Sequence, residues 1–186
     1  VDTEGQYWEE ITNRQLDPEG VIAARLEEIQ QIRNHNVYEK APLSECHQNT
    51  GKSPIKVKWV DINKGDEINK EYRSRLVAKE IKRDKRDDLF AATPPLEAKK
   101  MLFSAAVTEG IGHHPGQREE GMKIDFIDIS RAYFQADAIR NVYVQLADED
   151  WEEGMCGKLM KSMYGTRDAA QNWGSTYNEF MKTIGF

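Results

Sequence analysis

Apolar positions along this chain change their spacing several times, and each change marks an expected element. Ile22, Leu26, Ile29 and Arg33 recur at helical intervals behind Asp17-Pro18, a capping residue followed by proline, which predicts a helix over 18–33. After the breakers of Gly51 to Pro54, Ile55, Val57 and Trp59 alternate with Lys56 and Lys58, the pattern of a half-buried strand. Asn63-Lys64-Gly65-Asp66 is a turn signal and Tyr72 to Ile81 resumes the alternation, so the two runs predict a β-hairpin. On its second strand Arg73, Arg75, Val77 and Lys79 share one face. Thr93-Pro94-Pro95 opens a second helix, striped by Ala98, Met101, Leu102, Ala105 and Ala106 and stopped at Gly110.

Beyond a Gly/Pro-rich loop, the stretch KIDFIDISRAYFQ from Lys123 to Gln135 reads as a strand, with Ile124, Phe126 and Asp128 on one face, followed by a short helical turn. A strand from Val142 to Leu146, an acidic loop and a strand-like Lys158 to Met160 come next. Ala169, Trp173, Tyr177, Phe180 or Met181, and Ile184 then recur every three to four residues, with Gly185 at the end of that helix. No internal repeat is present. The order predicts one α+β unit, an antiparallel sheet packed with helices, with residues 1–16 as an acidic linker or head.

Composition bounds this picture. At 186 residues, 39% hydrophobic and 31% charged, the chain suits one main globular core and has no run of about 18 apolar residues to span a membrane. Its first residues are acidic and lack a secretory pattern. Cys46 and Cys156 stand far apart in sequence, which fits two reduced thiols of an intracellular protein better than a zinc site or a disulfide scaffold. His113 and His114, beside Pro115 and Gly116, decorate a loop.

The net charge of -6 argues at first against a polyanionic partner, but its distribution reverses that. Residues 1–32 carry eight acids against Arg14 and Arg25 and account for the whole imbalance. Lys70 to Arg86 carries eight bases against three acids, and Asn141 to Gly157 carries five acids and no base. A basic strand pair therefore faces a nucleic-acid or nucleotide phosphate more naturally than the total suggests.

Chemistry gathers around Asp128, a carboxylate at a strand end just before Tyr133 and Phe134. Hard divalent ions such as magnesium take carboxylate oxygen, so this position suits a metal ligand. Plainer roles stand beside these: an aspartate there can cap a turn, Phe134 can be core, basic runs can be solvated faces, and Trp173, Tyr177 and Phe180 can be a packing stripe.

Read in order, KVKWVDINKGDEINKEYRSRLVAKEIKRD, IDFIDISRAYF and KSMYGTRDAAQNW resemble the reverse transcriptase of copia-type retrotransposon Pol polyproteins, over about residues 20 to 186. The resemblance implies a right-hand polymerase, with 17–122 as a fingers-like part and 123–186 as a partial palm, truncated before the second acidic motif. It implies Asp128 as the first catalytic aspartate and metal ligand, joined by the carbonyl of Ile129, in a site where two Mg²⁺ ions drive nucleotidyl transfer. Arg75, with Arg73 beside it, would grip the triphosphate, where a planar guanidinium binds oxygen pairs. Tyr133 would lie under the incoming sugar, in a place usually held by phenylalanine. Tyr164 and Gly165 would line the nucleotide pocket, Arg167 would take a usual lysine position, and Ala170 replaces the usual proline. Implied partners are an RNA or DNA template with its primer, deoxynucleoside triphosphates and the remainder of the Pol polyprotein, in a cytoplasmic particle or the nucleus, with no membrane. With one acid of three, the chain is expected to be inactive alone. A second reading is a non-catalytic remnant whose basic hairpin grips nucleic-acid backbone.

Overall fold

A helix start leaves N–H groups without partners, and Asp17 answers that need in the computed structural model, which describes residues 5–10, 12–81, 94–108 and 124–185. Its Oδ2 accepts from the Gly20 amide at 3.0 Å, and Pro18 begins the helix α1 (Pro18–Asn34), as the spacing predicts. The face it buries is turned from the expected one. Val21, Ala24, Arg25, Glu28, Ile29 and Ile32 are buried, whereas Ile22 and Leu26 are 45% and 52% exposed. Two inward positions carry ionic side chains with partners in the interior, so apolar spacing alone misplaces the stripe.

The hairpin forms as β4 (Val57–Asn63) and β5 (Tyr72–Ala78), antiparallel, with Val57 opposite Ala78 and Asn63 opposite Tyr72. Its turn is fixed by Asn63, whose Oδ1 accepts from the amides of Gly65 at 3.1 Å and Glu71 at 2.8 Å. Along β5 the alternation is strict: Ser74, Leu76 and Ala78 are buried, and Arg73, Arg75 and Val77 point to the other face. Ile55 lies outside the hairpin and bridges in parallel to Val144.

A second sheet runs in the order β3 (Tyr38–Pro42), β7 (Met155–Leu159), β6 (Tyr143–Val144), all antiparallel. β6 is shorter than the expected 142–146, and β7 begins before Lys158. β3 and the helix α2 (Leu43–Thr50) had no sequence signal: Tyr-Glu-Lys-Ala-Pro does not alternate cleanly, and α2 starts at Pro42 without a side-chain cap. The last helix, α4 (Ala169–Thr183), forms where predicted, and Gly185 just past its end takes a left-handed φ of 96°, but Phe180 and Ile184 of its expected stripe are exposed.

One core joins these parts. Ile29 and Ile32 of α1, Leu76 and Ala78 of β5, Phe134, Val144, Leu159 and Met163 are buried together. Each large apolar side chain so buried contributes about 1.5–3 kcal/mol. Around it, Arg25 of α1 reaches Asp61 of β4 through Nη2 at 2.6 Å and Nε at 3.3 Å, both residues under 9% exposed. Ser74 of β5 donates to the same carboxylate at 2.6 Å. Residues expected as an acidic head join this cluster: β1 (Tyr7–Trp8) pairs with β2 (Gln15–Leu16), and the Tyr7 ring lies 4.7 Å from the Arg25 guanidinium. Cys46 and Cys156, distant in sequence, share a small buried cluster as free thiols.

By contacts the chain forms two compact units, Val1–Phe90 with Arg131–Phe186, and Ala91–Ser130. The second contains α3 (Leu96–Val107), which begins after Pro95 and ends at Thr108. Its predicted apolar stripe is not covered: no residue of α3 is buried, and Met101 is 76% exposed. Gly110, His113 and His114, and the bases Lys82 to Arg86, lie outside the described residues. Residues 124–129 are not the expected strand, since no described strand pairs with them and a strand exists only with a ladder partner. Phe126 and Ile127 are 81% and 71% exposed, and Phe126 stacks on Phe103 at 6.0 Å. The architecture is thus α+β, with antiparallel sheets and, among the described residues, no helix long and apolar enough to cross a membrane.

Asp61→Ala strands the buried Arg25 and is expected to lower unfolding free energy by about 3–5 kcal/mol. Lys58→Ala, at an exposed pair with Glu10, is expected to cost under about 1 kcal/mol. Urea denaturation of both variants checks the contrast, and equal losses would contradict it.

Candidate nucleotide-binding site

The alternation of β5 turns Arg73 and Arg75 away from the core, and a loop from the far end of the chain meets that face. The Ala78 amide donates to the Tyr164 carbonyl at 2.7 Å, pinning the loop to the end of β5. Gly165 follows with φ of 82°, and a Cβ there would stand 2.0 Å from the Ala78 carbonyl oxygen and 2.6 Å from Val77 Cγ1. Glycine is required on both counts, conformation and space. The loop is braced from below by Met163, fully buried, and by Thr166, whose hydroxyl donates to the Met163 carbonyl at 2.8 Å.

So placed, the Tyr164 ring collects three neighbours. The Arg75 guanidinium lies 5.6 Å from its centre, the Tyr133 ring 5.1 Å and the Phe134 ring 5.5 Å. Phe134 is 1% exposed and is core, as its plainer reading held; Tyr133 is only half-buried. Burial raises the Tyr164 phenol above its ordinary value, opposed by the positive field of Arg75 and aided by the charge of Glu28. Arg75, Tyr133, Tyr164 and Gly165, drawn from three sequence motifs, therefore meet in one place, with Arg73 on the same strand face.

Arg167 is held differently. Its amide donates to Glu80 at 2.8 Å, and it lines a cavity of about 800 Å³ with Lys52, Lys56, Lys79 and Arg140. Arg140 forks onto Asp168 at 2.9 and 3.0 Å and reaches Glu80 at 2.6 Å. Burial pushes the Asp168 carboxyl up, but these bonds to Arg140 outweigh it and hold the group below the usual carboxylate range.

Two residues at the first site carried no sequence flag. Glu28 of α1 is 4% exposed and accepts from Arg131 Nε at 3.3 Å. Burial raises its carboxyl, against the pull of Arg131, Arg73 and Arg75. The available signal was a charged residue on the buried stripe of α1, seven positions after Val21. Arg131 lay inside the IDFIDISRAYF motif, where only its neighbours were given roles.

Asp128 and Ile129 belong to the second unit. Asp128 is exposed. Among the described residues no group of three or more acids, histidines or cysteines could hold a metal ion. A magnesium pair needs several converging oxygens, so the described residues do not fit it.

Comparison with known proteins agrees with the motifs. The family model for reverse transcriptase (RNA-dependent DNA polymerase) matches residues 43–186. The retrovirus-related Pol polyprotein from transposon TNT 1-94 of Nicotiana tabacum is 25% identical over 171 residues, 88% of this chain. The chain spans 12% of that relative's length. No solved structure matches.

Gly165→Ala is expected to push the loop off β5, destabilise the protein by about 2–4 kcal/mol and change the near-ultraviolet circular dichroism of the Tyr133–Tyr164 pair. An unchanged melting temperature and spectrum would show that the loop does not depend on glycine.

Proposed function

Because the chain belongs to the reverse transcriptase (RNA-dependent DNA polymerase) family, we propose that it is the nucleotide-gripping portion of a copia-type polymerase, with 17–122 acting as fingers and 123–186 as the front of the palm. The observation that carries this reading is the meeting of Arg75, Tyr133 and Tyr164 within 6 Å of one ring centre. Arg75 and Arg73 hold the triphosphate of a deoxynucleotide, using forked donors matched to phosphate oxygens. Tyr133 forms the flat wall beneath the sugar, Tyr164 keeps that wall and Arg75 in register, and Gly165 lets the backbone pass close to β5. Arg167 contributes positive charge from the neighbouring cavity.

Asp128, with the Ile129 carbonyl, is the first of the carboxylate ligands that such a polymerase needs for magnesium. In this reading the described residues supply grip and orientation, and transfer draws on further acids of the Pol polyprotein. Template, primer and the remainder of that polyprotein are its partners. A second reading, a non-catalytic remnant that binds nucleic acid, is favoured by the cavity lined by Lys52, Lys56, Lys79, Arg140 and Arg167. In it, binding of an oligonucleotide weakens linearly in log affinity against log salt.

The first reading expects the 186-residue chain to bind dTTP, to lose about tenfold or more of that affinity in Arg75→Ala, and to give no primer extension on an RNA template. Titration calorimetry and an extension assay measure these. Unaltered dTTP affinity in the variant refutes the triphosphate role, and an extended product refutes the need for further acids.

A further inference from the structure

Arginines that structure has finished with are normally saturated with acceptors, and two of these are not. Arg73 and Arg75 are half-buried on β5, and among the described residues neither side chain donates a hydrogen bond or forms an ion pair. The Nε of Arg75 is buried without a partner. A guanidinium carries five donors, and leaving them desolvated costs free energy until an acceptor arrives.

Glu28 is a carboxylate that feels the charge of both, and it too is only half satisfied. Its Oε2 accepts from Arg131 Nε at 3.3 Å, while its Oε1 is buried with no partner. Arg131 stands in the left-handed region at φ of 50°, a strained place for a residue with a side chain, and its Nη2 lies 3.6 Å from Glu27 Oε1. The charged and titratable groups facing Glu28 are thus Arg131, Arg73 and Arg75, with the Tyr164 phenol beside them and Glu27 on the outer side of Arg131. Three cations act on one buried anion, Arg131 by a direct bond and Arg73 and Arg75 through their charge, with the Arg75 Nε and the Glu28 Oε1 left unused. That is an incomplete network, and such networks are costly in a low-dielectric interior.

Resting on the nucleotide-gripping reading above, we infer that Arg131 joins Arg73 and Arg75 in a three-arginine site for the polyphosphate of a nucleoside triphosphate, with Glu28 as its built-in counter-ion. Without ligand, Glu28 holds Arg131 toward the cluster and offsets part of its charge. An arriving polyphosphate supplies the missing acceptors but meets the repulsion of Glu28, so the carboxylate sets how tightly the site grips. Protonation removes that repulsion. Burial has already raised the Glu28 carboxyl, so anion affinity rises as pH falls toward its titration.

The test is calorimetric titration of the 186-residue chain with inorganic tripolyphosphate, comparing wild type with Glu28→Gln, Arg131→Gln and Arg75→Gln. At about pH 8, Glu28→Gln is expected to bind about fivefold tighter and Arg131→Gln about fivefold weaker. Lowering the pH from there should narrow the gap between wild type and Glu28→Gln, because only the wild type takes up a proton at residue 28 while the ligand's own protonation is common to both. A short oligothymidylate, with one charge per phosphate, should gain little from Glu28→Gln. Equal or weaker tripolyphosphate binding by a folded Glu28→Gln overturns the counter-ion role. Should that variant not fold, undiminished binding by Arg131→Gln overturns the three-arginine site. Absence of any wild-type binding refutes the nucleotide reading itself, whereas loss in Arg75→Gln with no effect at Glu28 and Arg131 refutes this inference alone.

Discussion

The ion pair between Arg25 and Asp61 is the constraint on which the larger unit depends. Arg25 belongs to α1, Asp61 to β4, and Ser74 of β5 donates to the same carboxylate. Glu149, from the acidic loop, accepts from Trp59 Nε1 at 3.1 Å and lies 3.7 Å from Arg25. Tyr7 closes the group from the amino-terminal ribbon. Two charges removed from water gain stability only when geometry and further hydrogen bonds satisfy them, and breaking one half leaves a stranded ion. Five parts of the chain therefore have to arrive together, and the rotation of α1 follows from where its arginine must reach.

That rotation has a functional consequence. With Arg25 directed to Asp61, Glu28 falls one turn further along the same buried face and comes under the arginines of β5 and Arg131. The structural ion pair and the incomplete cluster at the candidate nucleotide site are thus linked by the pitch of one helix. One is closed and fully partnered; the other keeps unused donors facing an anion. Satisfied networks hold a fold in place, and unsatisfied ones mark where a ligand is expected.

The acidic loop shows how loop charge is used inside. Asp150 is 5% exposed and accepts from the Tyr38 hydroxyl at 2.7 Å and from Arg33. Burial opposes its ionisation, yet Arg33 and Tyr38 hold it below the usual carboxylate range. The eight acids of residues 1–32 and the five of residues 141–157 are therefore not a uniform repelling shell. Glu149 and Asp150 are the matching halves of Arg25 and Arg33 on α1.

The sequence by itself determined the local elements whose causes are local. The Asp17-Pro18 start of α1, the Asn63 turn with its alternating strands, the Gly185 end of α4, and the chemical character of Arg75, Tyr133 and the Tyr164-Gly165 pair were all legible. The first three rest on backbone geometry or side-chain period within a few residues, and the last on the resemblance of the motifs that hold them to a known family. Tertiary structure alone decided the burial face of α1, the pairing of β3 with β7 across more than a hundred residues, and the absence of a ladder for residues 124–129. It also decided that Glu28 and Arg131 stand beside Arg75. These depend on partners far away in the chain, and a buried charge is stable only opposite a partner that the local pattern cannot name.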